Sequence, residues 1–171
     1  FEPVYRSILP ETFDDRMKIR MVDPMEIFAA KGNALITRAA ARDLYDWCNM
    51  LSEGLFEEQC DLFRKCFLFY MTISADTLNK SFDTSAIDTL DFNKIRRDLF
   101  PVLNKKDNFQ LDERKKIAKN YISNLMVLTT KEKEYLDRFE EKKYMPELLF
   151  EDAEIVERAK NHPMALWKCK E

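Results

Sequence analysis

Glycine is almost missing from this chain: the 171 residues include only two, Gly32 and Gly54, beside six prolines. Tight turns draw heavily on both residue types, so the scarcity excludes a turn-dense all-β architecture and makes helix the starting assumption. Histidine is rarer still, with His162 alone, and Cys48, Cys60, Cys66 and Cys169 form no Cys-x-x-Cys pair. That combination excludes a structural zinc site of the usual spacing and leaves the cysteines as reduced, packed thiols. Long apolar runs are missing too. The stretch from Cys66 to Met71 falls far short of the ~20 residues a membrane helix needs, and no secretory leader opens the sequence, so a soluble, cytoplasmic protein with no membrane partner is expected. The formal net charge of -3 excludes a globally basic nucleic-acid coat while leaving room for one local basic surface.

What is present points to a helical chain with a real core. Hydrophobic residues make up 46% of the sequence, enough to fill one domain or two small lobes at this length. Phe1 is no initiator residue and is too bulky to follow a normally removed methionine, so the sequence is expected to begin within a longer protein. Val4 to Leu9 and Met17 to Val22 read as short strands around the polar stretch from Glu11 to Arg16. A lone two-stranded hairpin is marginal in water, and the pair is expected to finish a sheet supplied by upstream sequence.

At Asp23-Pro24-Met25-Glu26 a helix should start, with Asp23 as cap, Pro24 at the first helical position and Glu26 reaching back to the cap's amide. A second helical stretch from Ala39 to about Leu51 turns Leu44, Trp47, Cys48 and Leu51 inward and ends at Gly54. Glu57 to Ser74 is apolar on more than one side, as a central bundle helix requires. Thr77 to Thr89 reads as a loop or short turns, after which Asp91 can cap a helix that Pro101 ends. Ile117, Tyr121, Leu125 and Leu128 define another helix, Thr129 and Glu132 a capping box for the next, and the two are expected to pack antiparallel. A short helix from Glu151 to Lys160 follows Pro146, and the last residues, with Met164, Leu166 and Trp167 as anchors, dock the C-terminus by a turn at His162. That setting makes His162 structural rather than catalytic, since no nucleophile or second ligand accompanies it. Phe63, Phe67 and Tyr70 read as core for the same reason of periodicity.

The densest polar cluster in an apolar context is Lys31, Arg38, Arg42, Asp43 and Asp46, in the stretch K-G-N-A-L-I-T-R-A-A-A-R-D-L-Y-D. Spacing by four would put Arg38, Arg42 and Asp46 on one face of a continuous helix, with Ala39, Ala40 and Ala41 leaving room for long cations to converge. The bland alternative is a solvated stripe holding an Arg42–Asp46 ion pair. A second basic segment spans residues 92 to 120, where nine cations, among them Arg96, Arg97, Lys105, Lys106, Lys115 and Lys116, face four acids. It could take the phosphates of an RNA, although aromatic partners for bases are sparse there and a solvated face is the plainer reading.

The stretch V-D-P-M-E-I-F-A-A-K-G-N-A-L-I-T-R-A-A-A-R-D-L-Y-D resembles the downstream motif region of AbiEii/AbiGii-type nucleotidyltransferase toxins, and Y-L-D-R-F-E-E-K-K-Y-M-P-E-L-L-F-E-D with N-H-P-M-A-L-W-K resembles their C-terminal signature. The resemblance implies a polymerase-β-like lobe in which a Gly-Ser turn and a strand with Asp-x-Asp or Asp-x-Glu hold magnesium. Neither glycine here precedes a serine and no Asp-x-Asp occurs, so the principal metal ligands are expected upstream and residues 1 to 171 alone are expected to be inactive. What carries over is the later part of the site. Lys31 matches the motif lysine, Asp43 and Asp46 the acids of Asp-Leu-x-Asp, with Lys31, Arg38 and Arg42 as phosphate contacts and Asp43 either as a further magnesium ligand or as the group that orients the attacking hydroxyl. Asp46 could equally orient Arg42.

The expected fold is therefore mainly α: a helical bundle carrying a short two-stranded N-terminal remnant of a polymerase-β-like sheet. Residues 1–54 would end the nucleotidyltransferase core and 55–171 form a C-terminal helical domain. The implied function is transfer of a nucleotide from an NTP to an acceptor, RNA or tRNA, by the toxin of an abortive-infection (type IV-like) toxin–antitoxin system, with Mg2+ as cofactor and an antitoxin encoded nearby. The alternative is a non-catalytic helical module that binds a partner or RNA.

Overall fold

The computed structural model describes residues 1–7, 18–74, 78–104 and 107–170. Expectations that fall on Ile8, Leu9, Glu11 to Arg16, Met17, Thr77, Lys105 and Lys106 lie outside them. Two strands, β1 (Val4–Ser7) and β2 (Lys18–Met21), pair antiparallel with Val4 opposite Met21 and Arg6 opposite Ile19. Helices account for most of the rest: α1 (Pro24–Thr37), α2 (Ala41–Ser52), α3 (Cys60–Ser74), the one-turn α4 (Ser85–Asp88), α5 (Phe92–Asp98), α6 (Leu111–Leu125), α7 (Thr130–Glu140), α8 (Ala153–Lys160) and α9 (Pro163–Lys170). Short 3-10 turns lead into α3 at Glu57–Gln59, follow α5 at Phe100–Val102 and precede α8 at Pro146–Leu148. The expected mainly α fold with a small two-stranded sheet is what the chain adopts.

Local chemistry explains most boundaries. The Asp23 carboxylate accepts the Met25 amide at 2.8 Å, and Pro24 fills the first turn, where its missing N–H is no loss. Glu26 does not reach back to the cap. Its oxygens accept instead from the Tyr70 hydroxyl at 2.5 Å and the Phe1 amine at 2.6 Å, because α3 packs close enough to offer a better donor. α2 ends as expected at Gly54, whose φ of 64° lets its N–H reach the Leu51 carbonyl while Leu55 N–H reaches Met50. Thr129 and Glu132 form the anticipated capping box, at 3.3 Å and 2.7 Å.

The core is built around α1, α2 and α3 and runs without interruption across residue 54. Trp47 and Phe67 crowd against Gly32, where any Cβ would lie 2.3 Å from the indole ring, so the rings from α2 and α3 rest directly on the α1 backbone. Asn33, on the buried side of α1, donates to the Phe67 carbonyl at 2.9 Å and to Ala29 at 3.1 Å, which ties α1 to α3 without leaving a buried amide unpaired. α3 is the expected central helix, with Phe63, Phe67 and Leu68 fully enclosed.

Three packing expectations are corrected. α6 buries Ala118, Ile122 and Leu125 and leaves Ile117 exposed, and it lies on α2 and α4, while α7 lies on α3 rather than antiparallel to α6. The C-terminus docks through Ala165 rather than through Met164, Leu166 and Trp167, which are exposed because the helix over residues 163–170 turns those side chains outward. The helix predicted to run from Ala39 starts at Ala41, and this shift shapes the site.

Candidate active site

α1 stops at Thr37, and the chain turns through Ala39 in the left-handed region, at φ 49°, and Ala40 in extended conformation before α2 begins. Arg38 is thus the C-cap of α1, not a member of α2, so it does not share a continuous helix face with Arg42 and Asp46. Ala39 and Ala41 are buried at this corner; their small size serves close packing of the turn and does not clear space for cations.

The corner nevertheless brings the motif together. Lys31 donates through Nζ to Asp46 Oδ2 at 2.6 Å, linking α1 to α2, with both side chains about one-third exposed. Asp43 stands in the first turn of α2, where a carboxylate complements the helix dipole at an N-terminus that has no side-chain cap. It is only 6% exposed, and its Oδ2 meets the Arg38 guanidinium at 3.4 Å. That contact is long for a charge-assisted hydrogen bond, and the Arg38 side chain is 70% exposed. Asp43 therefore keeps acceptor capacity for a further donor or cation, and the exposed Arg38 side chain has room to meet a second anion.

Arg42 and Asp46 do not pair. Arg42 Nε donates to the Asp98 carbonyl at the end of α5, at 3.0 Å, because α5 packs beside α2 and its last carbonyls need a donor. Asp46 consequently orients Lys31 rather than Arg42. Tyr45, which the sequence did not single out, donates its hydroxyl to Asp107 at 2.9 Å on the same side. Asn33 was also passed over; a polar residue on an otherwise apolar helix face was the signal that could have found it.

Among the described residues no group of three or more His, Cys, Asp or Glu side chains is placed to hold a metal. Asp43 offers one carboxylate and Asp46 is held by Lys31, so the groups present do not make a magnesium site by themselves. The chain's Asp-x-Glu, Asp152-Ala153-Glu154, is not on a strand: Asp152 caps α8, accepting from Glu154 and Ile155.

The basic segment is partly neutralised. Arg97 pairs with Asp98, Lys119 with Asp88, and Lys115 donates to the Asp88 carbonyl at 3.2 Å. Arg96 and Lys116 are exposed and enter no ion pair among the described residues, and Lys105 and Lys106 lie outside them. His162 stacks edge-on against Phe69 at 5.2 Å, and burial pulls its pKa below the usual imidazole value. It borders a cavity of about 320 Å3 with Glu26, Tyr70, Phe150 and Arg158. Glu26 and Lys31 are five residues apart, about 140° around α1, so this cavity and the Lys31–Asp46 pair lie on different sides of the helix. The buried thiols are inert: desolvation raises Cys48 to about 11 and lifts Cys66 well above the ordinary thiol range. No helix among the described residues is long and apolar enough to cross a membrane.

Compared with known proteins, the chain matches the family described as Nucleotidyl transferase AbiEii toxin, Type IV TA system, over residues 1–141. No curated protein and no solved structure matches at a significant level. The family match contains the whole Lys31 to Asp46 stretch and stops soon after the C-terminal signature opens at Tyr135. A match spanning most of the sequence and enclosing the clustered lysine and aspartates establishes that the chain belongs to the AbiEii nucleotidyltransferase toxin family of type IV toxin–antitoxin systems.

Proposed function

We propose that the intact protein transfers a nucleotide from an NTP to an RNA acceptor, with tRNA the first to test, and that Lys31, Asp43 and Asp46 are its catalytic residues within this chain. In such a reaction the acceptor hydroxyl attacks the α-phosphorus in line and pyrophosphate leaves, so negative charge on the phosphate oxygens must be neutralised and the hydroxyl must be oriented. Arg38, free in solvent on one side, and Lys31 contact phosphate. Arg42, exposed with its Nε committed to Asp98, adds a further cation. Asp43 accepts the hydrogen bond of the attacking hydroxyl, and Asp46 holds Lys31 in place. The observation that carries this reading is the nearly buried Asp43 carboxylate, met by one long contact from an exposed arginine, beside the Lys31–Asp46 pair. Residues 1–54 then complete the catalytic core and residues 55–171 supply the helical part behind it, the two sharing one hydrophobic core.

Magnesium, which the family's chemistry implies, would neutralise phosphate charge when bound. Asp43 could give it one oxygen, and the described residues give it no complete site. Acceptor phosphates fit the segment carrying Arg96, Arg97, Lys105, Lys106, Lys115 and Lys116, where Arg96 and Lys116 enter no ion pair among the described residues. Growth arrest during phage defence, checked by an antitoxin, is the cellular role this activity supports. The non-catalytic reading draws on one observation, the mutual neutralisation of Lys31 and Asp46. The test is incorporation of labelled nucleotide into RNA by the intact protein with Mg2+: Asp43→Ala should lower the rate by about a hundredfold or more, the usual effect of removing one electrostatic contact in a transition state. Undiminished incorporation would reject the assignment.

A further inference from the structure

α5 leaves two large aromatic side chains in solvent. Phe92 is 60% exposed and Phe100, beyond the end of the helix, is 38% exposed, and their rings meet edge-to-face at 5.7 Å. With Phe109, Gln110, Asp112 and Glu113 they line an open concavity of about 430 Å3. A second concavity of about 410 Å3 shares Gln110 and Glu113 with the first and continues toward Cys48 and Ser52 at the end of α2. The groove is therefore aromatic at one end, amide- and carboxylate-walled in the middle, and open throughout.

Its surroundings select the occupant. Arg96 follows Phe92 by one helical turn, is exposed and enters no ion pair among the described residues, so it is within reach of an anion held near that ring. Gln110 donates to Asn108 at 3.0 Å through its amide nitrogen, which leaves its carbonyl oxygen open as an acceptor. Asp112 and Glu113 add further acceptors in the wall and would repel phosphate. A ligand suited to all three features has a flat aromatic body, N–H groups on its edge and an anionic backbone kept on the α5 side. We propose that this groove binds unpaired bases of a single-stranded nucleic acid, stacking one on Phe92 and Phe100 while Arg96 holds the adjoining phosphate. A base pair in a duplex has its edge already occupied and its faces covered, so a double strand does not fit.

The groove also reaches α2, the helix that carries Arg42, Asp43 and Asp46. The Tyr45 ring on α2 lies 6.2 Å from Phe109, and Arg42 contacts the end of α5, about 9 Å along the helix axis from Phe92. Resting on the reading of this protein as an RNA-modifying transferase, the proposal makes the groove the seat of the acceptor strand.

Binding to the intact protein without NTP tests this apart from catalysis, by fluorescence anisotropy with a labelled ten-nucleotide unstructured RNA and with the same strand in a duplex. Phe92→Ala should weaken single-strand binding about tenfold, Phe92→Trp should preserve it, and the duplex should bind poorly to all three proteins. Arg96→Gln should lower the slope of log affinity against log salt by about 0.7, the loss of one phosphate contact. Since Phe92 is largely in solvent, its truncation leaves the core untouched. Single-strand binding that Phe92→Ala and Phe100→Ala leave unchanged would overturn the proposal. So would no binding of either probe, which would point to a protein as the occupant. An Asp43→Ala variant that binds RNA normally yet transfers at the full rate would defeat the catalytic assignment and leave the groove standing.

Discussion

Gly32 shows how a single position can invert a rule of local preference. In a helix interior alanine is favoured over glycine by up to about 1 kcal/mol, so Gly32→Ala ought to stabilise α1. Here the added methyl would press into the Trp47 and Phe67 rings at 2.3–2.5 Å. We expect Gly32→Ala to destabilise the protein by about 1–3 kcal/mol, measured by urea unfolding, because the core cannot give way without moving both aromatics. A stabilised variant would show that the rings yield. The sequence held both residues, but nothing in their spacing says that Trp47 crosses α1 at residue 32. The same limit applies at the site. Lys31, Asp43 and Asp46 were legible as a cluster from their motif, whereas the partner of each was not: Asp46 took Lys31 rather than Arg42, since partner choice depends on where the two helix axes cross.

Elements were legible wherever a capping side chain or a glycine marks an end. Asp23, Gly54, Asp91 and Thr129 all act where their chemistry places them. The break between α1 and α2 was not legible, because Ala39 and Ala40 are strong helix formers and the left-handed turn at Ala39 arises from packing of the corner. Glu132 gives the same lesson at α7. Its role in the capping box is written in Thr129-x-x-Glu132, but its other oxygen accepts from Arg64 on α3 at 3.0 Å, with Glu132 only 1% exposed. Arg64→Met leaves that carboxylate buried without its cation and should cost about 3–5 kcal/mol in thermal or urea unfolding. Adding Glu132→Gln, which keeps an acceptor for the cap, should recover most of the loss. A double variant as unstable as the single one would mean that Arg64 acts through packing alone.

At the scale of the whole molecule, the helical bundle follows from low glycine content, helical periodicity and an apolar central helix, while the docking of helices on one another had to be seen. Two faces stand out once it is. One is the α1–α2 corner with Lys31, Arg38, Asp43 and Asp46, and the other is the groove beside α5, which extends to the end of α2. The central claim is that the Lys31–Asp46 pair serves the reaction and is not merely a clip between two helices. A clip can be replaced by an apolar pair of similar volume without loss, because breaking both partners together leaves no charge stranded. The deciding measurement is nucleotide transfer by the intact protein carrying Lys31→Met and Asp46→Leu together, with thermal unfolding followed in parallel. The account predicts a melting temperature close to the parent's and a transfer rate at least about a hundredfold lower; a double variant that transfers nucleotide as fast as the parent would contradict it.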